Sequence, residues 1–494
     1  MPVSYFWVTP FLLILLSIAV IPLVNARFWE HNLWWIALFV FTLPMLAALF
    51  FFLGPEIQHL TLEKIREYVS FILLLFSLYV IAGGIHISGT MNGNPTQNTI
   101  FLFTGSLVAS LIGTTGASML LIRPLIRANR NRRKKSYIVI FFIFLVSNVG
   151  GILTPLGDPP LFLGYLQGVP FEWTLKLIPE WFFVTSVLLV VFYITDRRYY
   201  PMRRYRKLQF EAYSRGDSLQ NIKDEIDATL GSFNLKQMIK NKKVSPTLLQ
   251  RLQETLSFAS VELERQLQII AIEAKEPIHF GGKQNFFLLA GIVASIYFQG
   301  FLVRKYPGIW PAFGPQELVM AFLTGLSFYL TPLNSKIRVA NGFTFGPIKE
   351  VAFLFAAIFS TMVPALYILE HDGAKLGVTQ GWQFFWASGI LSSFLDNAPT
   401  YLAFLSLGKA LGLPNDLGFT LVDGGNVTFE ILRAISCGSV FMGANSYIGN
   451  GPNFMVKSIA ESQGVRMPSF FGYIAYSTLV LMPIYILLTL LFFV

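Results

Sequence analysis

Residues 147–161, SNVGGILTPLGDPPL, constrain this chain more than any other stretch. They lie between two apolar runs, yet they hold three glycines, three prolines and an acid, Asp158. Ser147, Asn148 and Thr154 add hydroxyls and an amide. A continuous membrane helix does not tolerate this, because proline removes a donor and clashes with the preceding turn. Backbone groups freed in lipid cost several kcal/mol each unless protein or water satisfies them. The backbone is therefore expected to break here and line an enclosed or watery cavity. An acid at that depth is a functional-site candidate by default.

The membrane setting follows from composition. Of 494 residues, 54% are hydrophobic and only 13% charged, against about 25% charged in soluble domains. The net charge of +10 sits between apolar runs, where loop orientation explains it better than nucleic-acid binding does. The single Cys437 excludes an internal disulfide. The first run, 6–24, lacks a basic leader and a small-residue cleavage site and reads as a span, not a signal peptide.

Apolar runs fall near 5–25, 33–53, 68–84 and, longer and interrupted, 98–122. His86, after the third, reads as a proton carrier or simply a solvated loop residue. Residues 123–135, RPLIRANRNRRKK, carry seven basic residues and no acid, which marks the cytoplasmic side. Runs at 137–155 and 180–195 then return the chain to a second basic stretch, beginning at Arg197 and Arg198. Residues 196–283 are polar, with patterned Leu248, Leu249, Leu252 and Leu256. They read as amphipathic helices in a cytoplasmic linker between an N-terminal half, 1–195, and a C-terminal half, 284–494. Further runs at 285–303, 317–333, 348–369, 382–409, 429–460 and 470–494 bring the expectation to about 10–12 crossings plus re-entrant pieces.

The halves echo each other. IGTTGASML at 112–120 precedes GGILTPLGDPPLF at 150–162, as SSFLDNAPTY at 392–401 precedes GANSYIGNGPNFM at 443–455. The second motifs align Thr154 with Ser446, Gly157 with Gly449 and Asp158 with Asn450. The first motifs align Thr115 with Asn397 and Ser118 with Thr400. After the first motif, one half has the seven-fold basic loop; the other, at 407–428, has Lys409 alone with Asp416 and Asp423. Loops so different in Lys and Arg face opposite sides, so the repeats are expected to be inverted, with broken helices facing each other near mid-bilayer.

Four polar clusters then converge: Thr114, Thr115 and Ser118; Asn148, Thr154 and Asp158; Asp396, Asn397 and Thr400; and Asn445, Ser446, Asn450 and Asn453. All offer hard oxygen donors and none a thiol, which favours an alkali cation or a proton over zinc or copper. Asp158 and Asp396, one per half, have no Lys or Arg in these motifs. A carboxylate without a fixed counter-charge can hold a proton or sodium in turn, so both are candidate sodium ligands. The competing reading makes either acid a cap for a half-helix, most seriously for Asp396. Glu430 and Arg433 read as a structural pair on one helix face. Lys349 and Glu350 read as interfacial anchors.

These motifs resemble the ion transporter superfamily, which includes NhaD-type sodium/proton antiporters, arsenite permeases and citrate or dicarboxylate transporters. SNVGGILTPLGDPPLF and LDNAPTYL are similar to signatures of the NhaD and arsenite-permease branch. GANSYIGNGPNFMVKSIAE is similar to that of the citrate/sodium-proton antiporter subgroup. The resemblance covers roughly 68–195 and 285–494; 210–275 looks like an insertion. It implies an all-α polytopic membrane protein of two inverted repeats, with re-entrant hairpins, a scaffold domain and a moving transport domain. It also implies a homodimer in the lipid bilayer, here a bacterial inner membrane. Dicarboxylate members carry a Ser-Asn-Thr signature in each half; here Ser147-Asn148-Val149 stands in the first, and no such triplet follows Asn397.

The leading expectation is sodium (or lithium)/proton exchange, with no enzyme activity and no cofactor beyond the transported ions. The runner-up is sodium- or proton-coupled uptake of citrate or a related carboxylate, against which stands the lack of Arg or Lys in the four clusters. A channel is disfavoured by the paired breaks. An intramembrane aspartyl enzyme is disfavoured by the lack of a positioned nucleophile or metal cluster.

Overall fold

The computed structural model describes residues 3–89, 93–130, 132, 134–200, 279–306, 313–412, 418–421 and 425–494. Most of the expected linker, 201–278, lies outside the described residues, with the amphipathic helices read there.

The first half contains α1 (Thr9–Trp35), α2 (Leu43–Phe51), α3 (Pro55–Gly83), α4 (Pro95–Ile112), α5 (Thr114–Ala128), α6 (Ser136–Leu145), α7 (Pro159–Leu166) and α8 (Ile178–Tyr199). The second contains α9 (Gln284–Lys305), α10 (Pro315–Leu330), α11 (Lys336–Ala340), α12 (Gly346–Thr361), α13 (Val363–Asp372), α14 (Gly381–Phe394), α15 (Asn397–Lys409), α16 (Phe429–Met442), α17 (Gly451–Ser462) and α18 (Phe470–Phe492). Two short antiparallel pairs, β1 (His86–Ser88) with β2 (His279–Gly281) and β3 (Gly418–Thr420) with β4 (Asn426–Thr428), are the sheet content of the described residues.

Among the described residues, six stretches are long and apolar enough to cross a membrane unaided, and a seventh, α12 with α13 and the turn to Leu376, is bent by 43°. Phe182, Val190 and Leu490 keep large apolar side chains exposed on such helices, as a lipid-facing surface requires. The chain is an all-α polytopic membrane protein. The other apolar runs are divided among shorter helices, so fewer continuous spans appear than the crossings expected from sequence.

The run at 98–122 is not a crossing. Gly113, at φ +79°, breaks it into α4 and α5, a conformation open mainly to glycine. The two arms pack together, and Asn98 Nδ2 donates to Asn129 Oδ1 at 2.9 Å, so both ends lie on one side. This is a re-entrant hairpin. In the second half α14 and α15 pack in the same way.

The inversion can be read from α8. Tyr137, at the start of α6, donates its hydroxyl to Asp196 near the end of α8 at 2.7 Å. Arg433, near the start of α16, pairs instead with Glu180 at the beginning of α8. At 1.5 Å per residue those two positions on α8 are about 24 Å apart. The equivalent helices α6 and α16 therefore enter from opposite faces. The pairing expected between Glu430 and Arg433 gives way to this one, because Glu180 is fully buried and a buried carboxylate needs the cation more than an exposed one does.

The helices sort into two bundles. In one, α3 packs on α9, α10 and α12, with α1 against α12. In the other, α4–α8 pack with α14–α18, and partners cross between halves: α7 against α15, α17 against α5 and α6, and α18 against α8. Helix α3 touches both bundles, meeting α5 and α7. The helices thus fall into two bundles that meet at α3. Both flanks of residues 201–278 lie near the basic loop: Asp196 accepts from Arg132, and β2 pairs with β1, whose Ile87 carbonyl accepts from Arg127 at 2.7 Å.

Candidate functional site

Each half supplies a hairpin tip and a broken helix. After α6 the chain makes a 3-10 turn, Val149–Leu153, then runs extended at Thr154 before α7 starts at Pro159. After α16 it makes a shorter turn, Gly443–Asn445, runs extended at Ser446, and α17 starts at Gly451. Proline in the first turn, where its missing N–H costs nothing, suits such restarts: Pro159 and Pro160 open α7 and Pro452 is second in α17.

The same bonds recur in both breaks. Ser110 donates its hydroxyl to the Gly150 carbonyl, and Ser393 donates to the Met442 carbonyl at 3.2 Å. The Thr154 hydroxyl accepts from Leu156 N at 3.2 Å; that of Ser446 accepts from Ile448 N at 3.2 Å and Gly449 N at 3.0 Å. A Cβ added to Gly157 would run into the Gly151 carbonyl, and one on Gly449 into the Gly443 carbonyl, 2.6 Å away. Only glycine lets the two strands of each break approach so closely. Ser110 and Ser393 were not singled out from sequence. Their signal is a serine three residues before each hairpin tip, Gly113 and Asp396.

The breaks meet at Asp158. Its side chain is 1% exposed and caps nothing, although it stands just before α7. Thr114 donates to Oδ1 at 2.9 Å, Asn450 to Oδ1 at 3.1 Å and Asn397 to Oδ2 at 2.5 Å. These donors are the tip of the first hairpin, the second break and the tip of the second hairpin. Asn450 Nδ2 also reaches Ser147 O at 3.0 Å and Asn148 Oδ1 at 3.2 Å. Asn148 donates to Asn453 Oδ1 at 2.8 Å, and Asn453 donates to the Gly443 and Ser446 carbonyls. No Lys or Arg among the described residues bonds the Asp158 carboxylate. Two acceptors from the second repeat's motifs, Asn397 Oδ1 and Asn445 Oδ1, are buried without a donor.

Other expected residues are placed differently. Asp396 Oδ1 accepts from Ala398 N at 3.1 Å, so its carboxylate caps α15. Thr400 donates to the Asp396 carbonyl within its own helix. Ser118 shares a hydrogen bond with Ser147 at 2.7 Å, and Asn445 Nδ2 donates to Ser393 Oγ at 2.8 Å. Thr154 donates to the Ser110 carbonyl. Thr115 stands outside the bonded group but lines the cleft beside it. The alignment of the hairpin tips shifts by one residue, because Thr114 and Asn397 are the first residues of α5 and α15. His86 does not stand free in a loop: its Nδ1 lies 2.7 Å from Asn341 Oδ1.

Asp158 and Thr114 open onto a narrow cleft whose far wall is α3, with Phe71, Leu74, Leu78 and Tyr79. The site thus lies between the two bundles, polar on one side and mainly apolar on the other.

No curated protein matches the sequence. A protein-family profile described as "Putative citrate transport" matches residues 1–239 and 232–493, one stretch for each half. The two matches run through nearly the whole chain, and with the paired breaks and hairpins they show that this protein belongs to that citrate-transport family of membrane transporters.

Proposed function

We propose that this transporter exchanges sodium (or lithium) for protons, with Asp158 as the group that carries either. The observation behind this is the Asp158 carboxylate itself: buried, held by three neutral donors from both repeats, and bonded by no cation among the described residues. An ionised carboxylate in that setting is costly without a counter-charge. A proton or a metal cation relieves the cost, and the two exclude each other. The unpartnered Asn397 and Asn445 oxygens are further hard ligands of the kind sodium takes.

Alternating access follows an elevator scheme in this reading. The apolar face of α3 offers few directional bonds to the transport bundle, so the bundle can slide along it with the site filled. Asp396 holds the second hairpin tip in place as a cap rather than acting as a second carrier. The test is proton movement driven by a sodium gradient in proteoliposomes, for wild type and Asp158→Asn. Full exchange by the variant removes Asp158 from the mechanism.

The second reading is sodium- or proton-coupled uptake of citrate or a related carboxylate, supported by the family description. There the Asp158 site would hold the coupling ion. Citrate accumulation that depends on a sodium or proton gradient separates this from antiport. In both readings the protein works within the bilayer; a homodimer, by resemblance, is the proposed assembly.

A further inference from the structure

Helix α7 is short. It covers eight residues, from Pro159 beside Asp158 to Leu166. Around its far end the chain bonds to the bundle built on α3 three times. Tyr165 donates its hydroxyl to the Ile296 carbonyl of α9 at 2.8 Å. Gln167 Nε2 donates to Glu67 Oε1 of α3 at 2.6 Å. Arg304 of α9 donates to both carboxylate oxygens of Glu172 at 3.1 Å. Glu172 just precedes α8, so these ties lie at the end of α8 remote from Asp196 and the basic loop.

Glu67 stands on the cleft side of α3. It comes one turn before Phe71, which lines the Asp158 cleft, and residues four apart share a helix face. Along the axis the two are about 6 Å apart. The Glu67 side chain is 12% exposed and pairs through both oxygens, at 2.8 and 3.0 Å, with Lys64, which is 7% exposed. A buried ion pair adds little to stability over well-packed apolar side chains, so this one asks for another role. Gln167 supplies it: a directional, charge-assisted bond from the bundle that holds Asp158.

The two ends of the contact between bundles therefore differ. Toward the basic loop, Met119 of α5, with Met455 of α17 beside it, packs on Tyr79 of α3 and Ile348 of α12. Apolar contacts of this kind, adaptable methionines above all, re-form at a new register when one surface slides over the other. The bonds at the remote end do not, because a hydrogen bond is lost within a fraction of its own length.

We infer that residues 165–172 are a clasp, which locks the two bundles together at the end remote from the basic loop and must open each time the site moves. Gln167 on Glu67 is its buried catch, and Glu172 with Arg304 its exposed rim. The inference rests on the sliding movement proposed above. Lys64 makes the catch reversible. It stays on Glu67 when Gln167 leaves, so opening breaks one charge-assisted bond there and strands no buried charge.

The test bridges the clasp in proteoliposomes with a short, reducible bis-methanethiosulfonate, in a protein carrying Glu172→Cys and Arg304→Cys. Both positions are exposed, so folding is not at stake, and wild type, whose Cys437 is fully buried, is the reagent control. The bridge is expected to bring gradient-driven transport to background, and reduction to restore it. A second pair, Ile87→Cys with Arg127→Cys, bridges the bundles near the basic loop. Arrest by both pairs supports a clasp within a sliding movement. Arrest by the second pair alone overturns the clasp and keeps the sliding; arrest by neither overturns both. Arrest by the clasp bridge alone keeps the clasp and turns the sliding into a rocking about the basic-loop end. A further arm does not depend on transport. Adding Gln167→Leu to the Glu172→Cys, Arg304→Cys protein should weaken the closed state about tenfold or more, as loss of a bond to a charged group implies, and is read as slower bridging. Bridging as fast as with Gln167 in place overturns its part as the catch.

Discussion

Replacing Asp158 tests the site most directly, because the structure separates its effect on transport from its effect on folding. In Asp158→Asn the carbonyl oxygen can stand where Oδ1 does and keep the bonds from Thr114 and Asn450. The new amide then faces Asn397 Nδ2, donor against donor. Asn397 has a remedy, since its own Oδ1 is buried and unused. Turning that amide over converts the repulsion into a hydrogen bond, so the net cost to stability is about 1 kcal/mol, one ordinary bond's worth. Asp158→Ala has no such remedy. Thr114 Oγ1 and Asn397 Nδ2 lose their acceptor, whereas Asn450 keeps Ser147 O and Asn148 Oδ1. Two orphaned donors at about 1–3 kcal/mol each amount to about 2–6 kcal/mol. Thermal melting in detergent should therefore rank wild type, Asn and Ala in that order, with Asn close to wild type. Sodium-driven proton movement in proteoliposomes should fall to background in both. Exchange that survives in a well-folded Asp158→Asn protein refutes the carrier role. An Ala variant as stable as wild type refutes the hydrogen-bond accounting.

Three further outcomes follow from the same geometry. Asp396→Asn keeps an N-cap, because asparagine caps as well as aspartate, so exchange and melting should stay near wild type; Asp396→Ala should cost about 1 kcal/mol. Loss of exchange in a stable Asp396→Asn protein would restore that acid as a second carrier. Gly113→Ala forces a side chain into φ +79°, ψ 148° and should cost about 1–3 kcal/mol, read as an earlier melt; an unchanged melt shows that the tip relaxes. Arg433→Gln leaves Glu180 buried and unpaired, with a loss toward the low end of about 3–5 kcal/mol because Arg433 is partly open; an unchanged melting temperature denies the pair any structural role.

Much of this architecture was legible because lipid makes broken backbone conspicuous. Glycines 150, 151 and 157 with prolines 155, 159 and 160 could not continue a helix, and the break stands where they stand. The repeat was legible for the same reason: Gly157 and Gly449 face a tight approach that admits no side chain. Inversion showed through the seven basic residues at 123–135, absent from the matching loop. Direction within the hairpins was harder. An apolar run at 98–122 reads the same whether it crosses or returns, and the packing of its two arms with the Asn98–Asn129 contact separates the two. The task of each polar side chain was harder still. Asp158 and Asp396 look alike in sequence, each just before a helix carrying proline. One finds three side-chain donors from other elements, the other a free backbone N–H two residues on. That choice depends on what the opposite repeat brings within reach.

The two repeats share a backbone plan but not a charge. Where the first break places Asp158, the second places Asn450, and the amide of Asn450 is spent on the first repeat's acid. A second carboxylate at that position would face Asp158 across about 3 Å, and at such a distance two like charges cannot both ionise. The pair would hold one proton permanently, and exchange at the shared site would still involve a single charge. An amide does the same with less competition: it donates to the one carboxylate, stays neutral at every pH, and leaves that carboxylate to respond alone to a proton or a cation. Inverted symmetry thus supplies the geometry that brings four helix ends to one place. The chemistry depends on breaking that symmetry at one position, with the hairpin amide Asn397 joining Asp158 from the other repeat. In the proposed exchange, a site built this way would hold one positive charge at a time.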